Sequence, residues 1–333
     1  MEDFSRFQPT MQQKKITLQF GDSLEFYKDW DAPIVIVSDG PYGLNGYNGD
    51  LKKSNELAKW YEPHIEMWSQ QSSHATTLWF WNTEIGWAEV HSVLKKHNWI
   101  YRSCNIWNKG IRHVSGNTNT KTLRRFPVVT EICAHYIRTP KFTLTDDKEI
   151  SIQEWLRSEW KRTKLPFKKA NEACGVKNAA TRKYLTKDHL WYFPPPNIFD
   201  KLVQFANNYG NPNGKPYFSI DKITSLSNSQ WNQLRGKFHC KAGITNVWDV
   251  PPIRNSERVK INGKALHPNQ KPLHLMDIII ECSSDKDDVI WEPFGGLCSA
   301  SISALKLGRR AFAAEIDKAT YQNACKRIKK IEK

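Results

Sequence analysis

The sequence has no apolar run approaching the ~20 residues that a membrane-spanning helix needs. Its first residues, Met1-Glu2-Asp3-Phe4, show no basic segment leading into an apolar one. Neither a membrane anchor nor a secretory signal is expected, and the expected location is the cytoplasm. Cysteine is sparse: seven residues, scattered singly, odd in number and without a Cys-x-x-Cys pair. That pattern points to reduced thiols and argues against a disulfide scaffold or a zinc site, so no metal is expected. No internal repeat or low-complexity tract occurs. Acidic residues are in deficit, and that deficit is the strongest compositional clue.

Forty-nine Lys and Arg stand against 34 Asp and Glu, for a net charge of +15 over 333 residues. A polyanionic partner is the natural implication, because cations that neutralise phosphates release condensed counterions. A merely basic soluble protein would show the same balance. Fourteen Trp and fifteen Phe add aromatic faces on which an extruded base could stack, although most belong to an ordinary core.

Strand-like and helical stretches alternate over residues 16–140. Ile16–Phe20, Ile34–Val37, Thr77–Trp81 and Val128–Ile137 read as strands. Trp87, Val90 and Leu94 recur at helical spacing between the last two of these. Such alternation implies a parallel sheet. From about Phe142 to Gly243, basic helical segments and Pro/Asn/Gly loops take over. The α/β pattern resumes at Thr245, with a helix after Pro272, strands at Val289–Trp291 and Ala311–Ala314, and a basic terminal helix. The simplest topology is one sheet assembled from both ends of the chain, with the middle inserted.

Two strand ends carry the chemistry. Ile34–Val37 empties into Ser38-Asp39-Gly40-Pro41-Tyr42-Gly43, and Val289–Trp291 into Glu292-Pro293-Phe294-Gly295-Gly296-Leu297-Cys298-Ser299. Ligands bind at this edge of open α/β sheets. A carboxylate and a backbone carbonyl can accept the two N–H bonds of an exocyclic amino group and so localise its lone pair. Proline fixes φ there, and a tyrosine ring can stack on an extruded base. By itself, Asp39-Gly40 is equally an ordinary turn. In the second loop, glycines permit close backbone approach and a helix N-terminus can bind a carboxylate. Glu315 ends the next strand, where an acid can take both hydroxyls of a ribose.

These motifs resemble those of the S-adenosylmethionine-dependent DNA amino-methyltransferases, in the β order with the catalytic motif first. Asp39-Gly40-Pro41-Tyr42 is similar to that family's Asp-Pro-Pro-Tyr, with Gly40 in place of a proline. The second loop is similar to Asp-Pro-Phe-x-Gly-x-Gly-Thr, with Glu292 for Asp and Cys298 where the second glycine stands. His267-Pro268-Asn269-Gln270-Lys271-Pro272 resembles the family's His-Pro-Thr-Gln-Lys-Pro, and Gly21-Asp22 its N-terminal Gly-Asp. The resemblance covers roughly residues 16–140 and 245–330. It implies an α/β fold with a Rossmann-like, mostly parallel sheet of the class I methyltransferase type and an inserted helical target-recognition region. The corresponding division is a catalytic half over 1–141, target recognition over 142–244 and a cofactor-binding half over 245–333.

The roles implied by resemblance follow. Asp39, Gly40, Pro41 and Tyr42 are catalytic. Asp22, Asn269, Gln270, Lys271, Glu292, Phe294, Gly295, Gly296 and Glu315 bind S-adenosylmethionine. The substrate is double-stranded DNA, methylated on an extruded base. Adenine N6 is favoured over cytosine N4 because aspartate leads the motif. Methylation at cytosine carbon 5 is disfavoured, since it needs a thiolate after proline and no Pro-Cys pair occurs. A cognate restriction endonuclease is a further partner the resemblance allows, and the oligomeric state stays open. A non-catalytic DNA-binding protein on the same scaffold is the reading from another class, which Gly40 and Cys298 would favour.

The middle must be read on its own physics. Leu165–Val176 followed by Lys177–Tyr184 reads as a short helix, a glycine turn and a second helix, a plausible helix-turn-helix. From Arg157 to Lys183 nine basic and two acidic residues leave +7. Lys168, Lys169, Lys177, Arg182 and Lys183 are candidate DNA contacts, with a solvated helical face as the alternative. Arg112, Arg124 and Arg125 lie in a polar stretch, Lys109–Arg125, expected to be a DNA-facing loop.

Overall fold

Three strands at the centre of the sheet are buried along their whole length: Val35–Ser38 (β2), Thr77–Asn82 (β3) and Val289–Glu292 (β11). Burial on both faces explains why they read as continuous apolar runs instead of alternating ones. The computed structural model describes residues 15–46, 50–114, 121–143, 148–212, 214–253, 258–261, 264–265 and 270–331. The remaining sheet strands are Ile16–Phe20 (β1), Ile100–Asn108 (β4), Thr130–Ile137 (β5), Val247–Asp249 (β8) and Arg310–Glu315 (β12). Their order is β1-β12-β11-β2-β3-β5-β4-β8, so both ends of the chain build one eight-stranded sheet.

Five of the seven pairings are parallel, as expected for a mostly parallel sheet. The two exceptions both involve β5, which runs antiparallel to β3 and to β4. A parallel neighbour needs a crossover of a dozen or so residues, usually helical. Between β4 and β5 the described residues hold only a 3-10 turn at Ile111–His113, so β5 folds back beside β4.

Helices cover both faces. On one lie Leu57–Gln71 (α1) and Glu84–Lys96 (α2). Leu57, Tyr61, Ile65 and Trp68 of α1 are all buried, at the three- and four-residue spacing of a helix face. Thr83 caps α2 by accepting from the Gly86 amide at 3.1 Å. On the other face Leu273–Ser283 (α8), Ser299–Lys306 (α9) and Lys318–Ile331 (α10) pack through Leu275, Met276, Ile279, Ile302 and Ile328.

The middle of the chain has its own apolar cluster, containing Phe142, Trp155, Trp160, Phe199, Phe218 and Trp231. It is built from a two-stranded ribbon, Lys141–Thr143 (β6) with Glu149–Ser151 (β7), and five helices. These are Ile152–Arg162 (α3), Lys169–Cys174 (α4), Ala179–Tyr184 (α5), Pro196–Tyr209 (α6) and Asn228–Asn232 (α7). Trp231 stacks on Phe199 with ring centroids 3.9 Å apart. The segment read as helix-turn-helix forms α4 and α5, six residues each, separated by Gly175 in the left-handed conformation (φ 69°). A small hairpin, Lys260–Ile261 (β9) with Lys264–Ala265 (β10), precedes α8.

Candidate active site at the strand ends

The carboxyl ends of β1, β2, β11 and β12 border one pocket of 430 Å³. Asp22, Asp39, Gly40, Pro41, Tyr42, Gln270, Lys271, Glu292, Phe294, Gly295, Gly296 and Glu315 all line it. Residues from both halves of the chain therefore meet at one edge of the sheet. Asn269, with His267 and Pro268, lies outside the described residues.

Around Asp39 the site is an ion network. Lys271 Nζ donates to Asp39 Oδ1 at 2.7 Å, lies 3.0 Å from the Tyr42 hydroxyl and 3.3 Å from Glu131 Oε2. Glu131 also pairs with Lys109. Two carboxylates and two ammonium groups thus neutralise one another in a largely buried cluster, the condition under which buried charge is tolerated. Burial acts to raise the Glu131 carboxyl, but Lys271 and Lys109 outweigh it and hold it below the ordinary range. Burial likewise opposes the charge on Lys271, yet Asp39 and Glu131 hold its ammonium above the usual lysine range. Lys271, expected to bind the cofactor, lines the pocket, and its ammonium pairs with Asp39 and Glu131.

Tyr42 was expected to offer its ring to an extruded base. It is only 5% exposed, with the Lys271 ammonium 5.2 Å from its ring centroid. Its hydroxyl has two acceptors, Asp39 Oδ1 at 2.9 Å and Glu131 Oε2 at 3.3 Å. Burial first, then the charge on Asp39 and Glu131, pushes the phenol well up, so it remains a neutral donor. Pro41 is held through its carbonyl, which accepts from Tyr61 and from Asn82 Nδ2, each at 3.1 Å.

At Gly40 a Cβ would come within 2.6 Å of both Phe294 and the Tyr61 hydroxyl, so a side chain there would require one of them to shift.

Glu292, expected to bind the cofactor, lines the pocket and is anchored within the chain. Its carboxylate accepts from the Ala300 and Ser301 amides at 2.9 and 2.7 Å, and from Ser301 Oγ at 2.6 Å. It therefore satisfies two amides at the N-terminus of α9 from within the chain. Burial pushes this carboxyl up to about 7 against the pull of those donors. Cys298, standing where a glycine was expected, adopts the left-handed conformation a glycine favours (φ 56°, ψ 47°). Glu315 accepts from the Gly296 and Asp317 amides, each at 2.7 Å, one on each carboxylate oxygen. Each oxygen keeps lone-pair capacity for another donor, so the carboxylate is oriented and suited to a pair of neighbouring hydroxyls. Burial pushes it up. Gly295 presses against β12, and a Cβ there would meet the Ala314 carbonyl at 2.9 Å. Asp22 accepts from the Leu24 amide at 3.0 Å, and Gln270 from the Val259 amide at 3.1 Å. An oriented diol acceptor beside a glycine loop suits the ribose and adenine of S-adenosylmethionine.

None of the expected DNA contacts lines this pocket. Lys168, Lys177, Arg182 and Lys183 are exposed around α4 and α5, and Lys169 pairs with Glu172 at 2.6 Å. Arg112, Arg124 and Arg125 are exposed on the segments flanking residues 115–120. Beside them Phe126 is 93% exposed. Three further residues of the site had no role assigned from sequence. Lys109 and Glu131 complete the ion network, and Asp50 accepts from the Tyr42 and Gly43 amides, both at 2.8 Å. An acid eight residues beyond Tyr42, in a glycine- and asparagine-rich loop, was the available signal for Asp50.

Comparison with known proteins bears on the whole arrangement. A model of the N6/N4 family described as DNA methylase matches residues 34–326. The chain belongs to the DNA methylase family. Type II methyltransferase M.ScaI from Streptomyces caespitosus is 30% identical over 150 residues, 44% of each chain. Type II methyltransferase M2.MboI from Moraxella bovis is 28% identical over 127 residues, 37% of this chain and 41% of that protein. These matches span less than half the length of either relative. Among solved structures, an M1.HpyAVI–SAM complex superposes with a TM-score of 0.49 at 15% identity, covering 94% of this chain and 98% of that one. Among the described residues of this methylase, no helix is long and apolar enough to cross a membrane.

Proposed function

We propose that this methylase transfers a methyl group from S-adenosylmethionine to adenine N6 within a specific duplex sequence, after extrusion of the base. The observation that carries the proposal is the Asp39 carboxylate, fixed through Oδ1 by Lys271 and Tyr42 at the rim of a pocket that also holds Glu315. With Oδ1 so engaged, Oδ2 is the oxygen that accepts one N–H of the target amino group, and the Gly40 carbonyl accepts the other. Both interactions draw the nitrogen lone pair out of conjugation. The cofactor supplies an electrophilic methyl group on a sulfonium. Glu315 holds its ribose hydroxyls, Phe294 and the Gly295–Gly296 loop border its adenosyl part, and Asp22 and Gln270 close the pocket. The positive charge that develops on the target nitrogen lies beside the Asp39 carboxylate, which stabilises it and accepts the departing proton or passes it to water.

The inserted residues 142–244 are assigned to target recognition. Their excess of exposed cations suits a phosphate backbone, and the exposed Arg112, Arg124 and Arg125 are assigned to the same partner. The two curated relatives are type II methyltransferases. Carried to this chain, that role implies a restriction endonuclease reading the same sequence. The test is nucleoside mass spectrometry of DNA from a methylation-free host expressing the protein. N6-methyladenine at one recurring sequence supports the reading. N4-methylcytosine would shift the substrate, and no modified base from a protein that binds cofactor and DNA would favour a non-catalytic scaffold.

A further inference from the structure

A second cavity, of 560 Å³, lies on the sheet face beside α8, at the edge opposite the catalytic one. Its floor includes Trp79 and His135 at the carboxyl end of β5, where β5 pairs with the amino-terminal half of β3. Its roof is the segment that returns from the inserted region, residues 234–246, together with Trp191 and Phe193. None of the residues placed in the catalytic pocket borders it.

The lining has two unusual features. One is an aromatic stack: Trp79 lies parallel to His135 at 4.2 Å between centroids, and His135 to Phe238 at 5.5 Å. Phe238 is the outer ring and is 51% exposed, so its free face is available to a further planar group. The other is charge without compensation. Lys241 at the wall is paired with Glu281 at 2.5 Å. Arg102 and Arg235 line the same space without a carboxylate partner among the described residues; Arg102 is exposed, and Arg235 lies over the Phe193 ring at 4.9 Å and reaches Asn232 Oδ1 at 3.5 Å. Desolvation draws both guanidinium groups down from their ordinary range. His135 is buried and its Nε2 has no hydrogen-bond partner among the described residues. Two guanidinium groups without a carboxylate partner, beside stacked rings, match a ligand that is planar at one end and anionic at the other. The volume lies within the ~300–1,000 Å³ typical of small-molecule sites.

We propose that this cavity binds a nucleoside phosphate, with its base against Phe238 and its phosphate on Arg102 and Arg235. Arginine presents a planar fork suited to phosphate oxygens, and a base stacks on an aromatic face without regard to its identity. The ligand could come from the free nucleotide pool or from the end of a nucleic-acid strand, which share this chemistry.

The test uses the full chain saturated with S-adenosylhomocysteine, so that the catalytic pocket is filled, and GMP as probe in calorimetry. Saturable binding of one GMP is expected, with guanosine and inorganic phosphate each much weaker. Arg235→Ala and, separately, Phe238→Ala are expected to weaken GMP by about ten-fold or more while leaving S-adenosylhomocysteine affinity unchanged. Phe238 is half exposed, so its replacement tests the site even if the Arg235 variant folds poorly. A 5′-phosphorylated trinucleotide that binds more tightly than GMP, and loses that advantage in both variants, identifies a strand end as the source. Equal or weaker binding identifies the free nucleotide. No saturable GMP binding at millimolar concentrations, or binding indifferent to both substitutions, would overturn the proposal.

Discussion

Lys271 Nζ sits 2.7 Å from Asp39 Oδ1, joining two motifs 232 residues apart in the chain through one nearly dry ion pair. The lysine side chain is 2% exposed. This pairing makes a residue of the segment expected to bind cofactor the support of the carboxylate proposed as catalytic. It also ties Asp39 to Glu131 and, through it, to Lys109.

Replacing Lys271 with Met should therefore impair chemistry more than cofactor binding. A kcat decrease of roughly 10²-fold is expected, the scale of removing one pre-organised electrostatic interaction, with S-adenosylhomocysteine affinity within a few-fold of the parent. Leaving Glu131 and Asp39 short of a counter-ion should also lower stability by about 3–5 kcal/mol. Lys271→Arg, which keeps the charge, should recover part of both. Steady-state kinetics and calorimetry on the three proteins separate these effects. A Met variant that loses cofactor affinity and keeps kcat would return Lys271 to the cofactor.

Gly40→Pro restores the sequence of the family motif and should nevertheless be harmful. The added atoms meet Phe294 and Tyr61 at distances no packed side chain adopts. Overpacking of this kind costs typically about 1–3 kcal/mol, and it displaces the loop that borders the cofactor. Thermal unfolding and cofactor titration should both show the effect. An unchanged midpoint with unchanged affinity would mean that Phe294 moves freely.

Glu292 gives a dependence on pH with a definite sign. Burial raises its carboxyl to about 7 from an ordinary value of 4.5. The folded state therefore holds this proton more tightly than the unfolded state. Its contribution to stability is present in full below the unfolded value and disappears as pH rises through the folded one. Between those values unfolding free energy should fall by on the order of 3 kcal/mol from this group, and Glu292→Gln should flatten that fall. Denaturant titrations at either end of the window measure it. Equal slopes for the two proteins would exclude Glu292 as the source.

Lys177→Ala combined with Arg182→Ala should weaken DNA binding and spare the cofactor. For each of the two cations that neutralises a phosphate, its removal should flatten the salt slope of binding by about 0.9. If either side chain reads a base edge, discrimination against a mismatched site should also shrink by ~1–3 kcal/mol. Titration of cognate and scrambled duplexes over a salt series yields both quantities. With both unchanged, this basic surface faces solvent, and DNA is held near Arg112, Arg124 and Arg125.

Much of the fold was legible because burial leaves a local signature. Residues 35–37 and 289–291 are apolar throughout since helices cover both faces of the sheet. The direction of β5 was not legible, because strand composition carries no sign of orientation and its neighbours come from tertiary pairing. Glu315 could be placed at a strand end by spacing alone. Lys271 could be placed near the cofactor by its motif, yet its reach to Asp39 depends on a fold that spans 232 residues. Glu292 occupies a position where an acid suggests a ligand, and only the structure reveals α9 as its partner. Nothing in the sequence around Gly40 shows that Phe294 and Tyr61 crowd the space a Cβ would need there.

Above all, Asp39 is assigned to the target amino group and not to the cofactor. Single-turnover methylation of a cognate duplex, paired with cofactor calorimetry for Asp39→Ala, probes that assignment without an intermediary. Methyl transfer should disappear in the variant while S-adenosylmethionine affinity stays within a few-fold of the parent. Transfer at the parent rate by the Asp39→Ala protein would contradict the assignment.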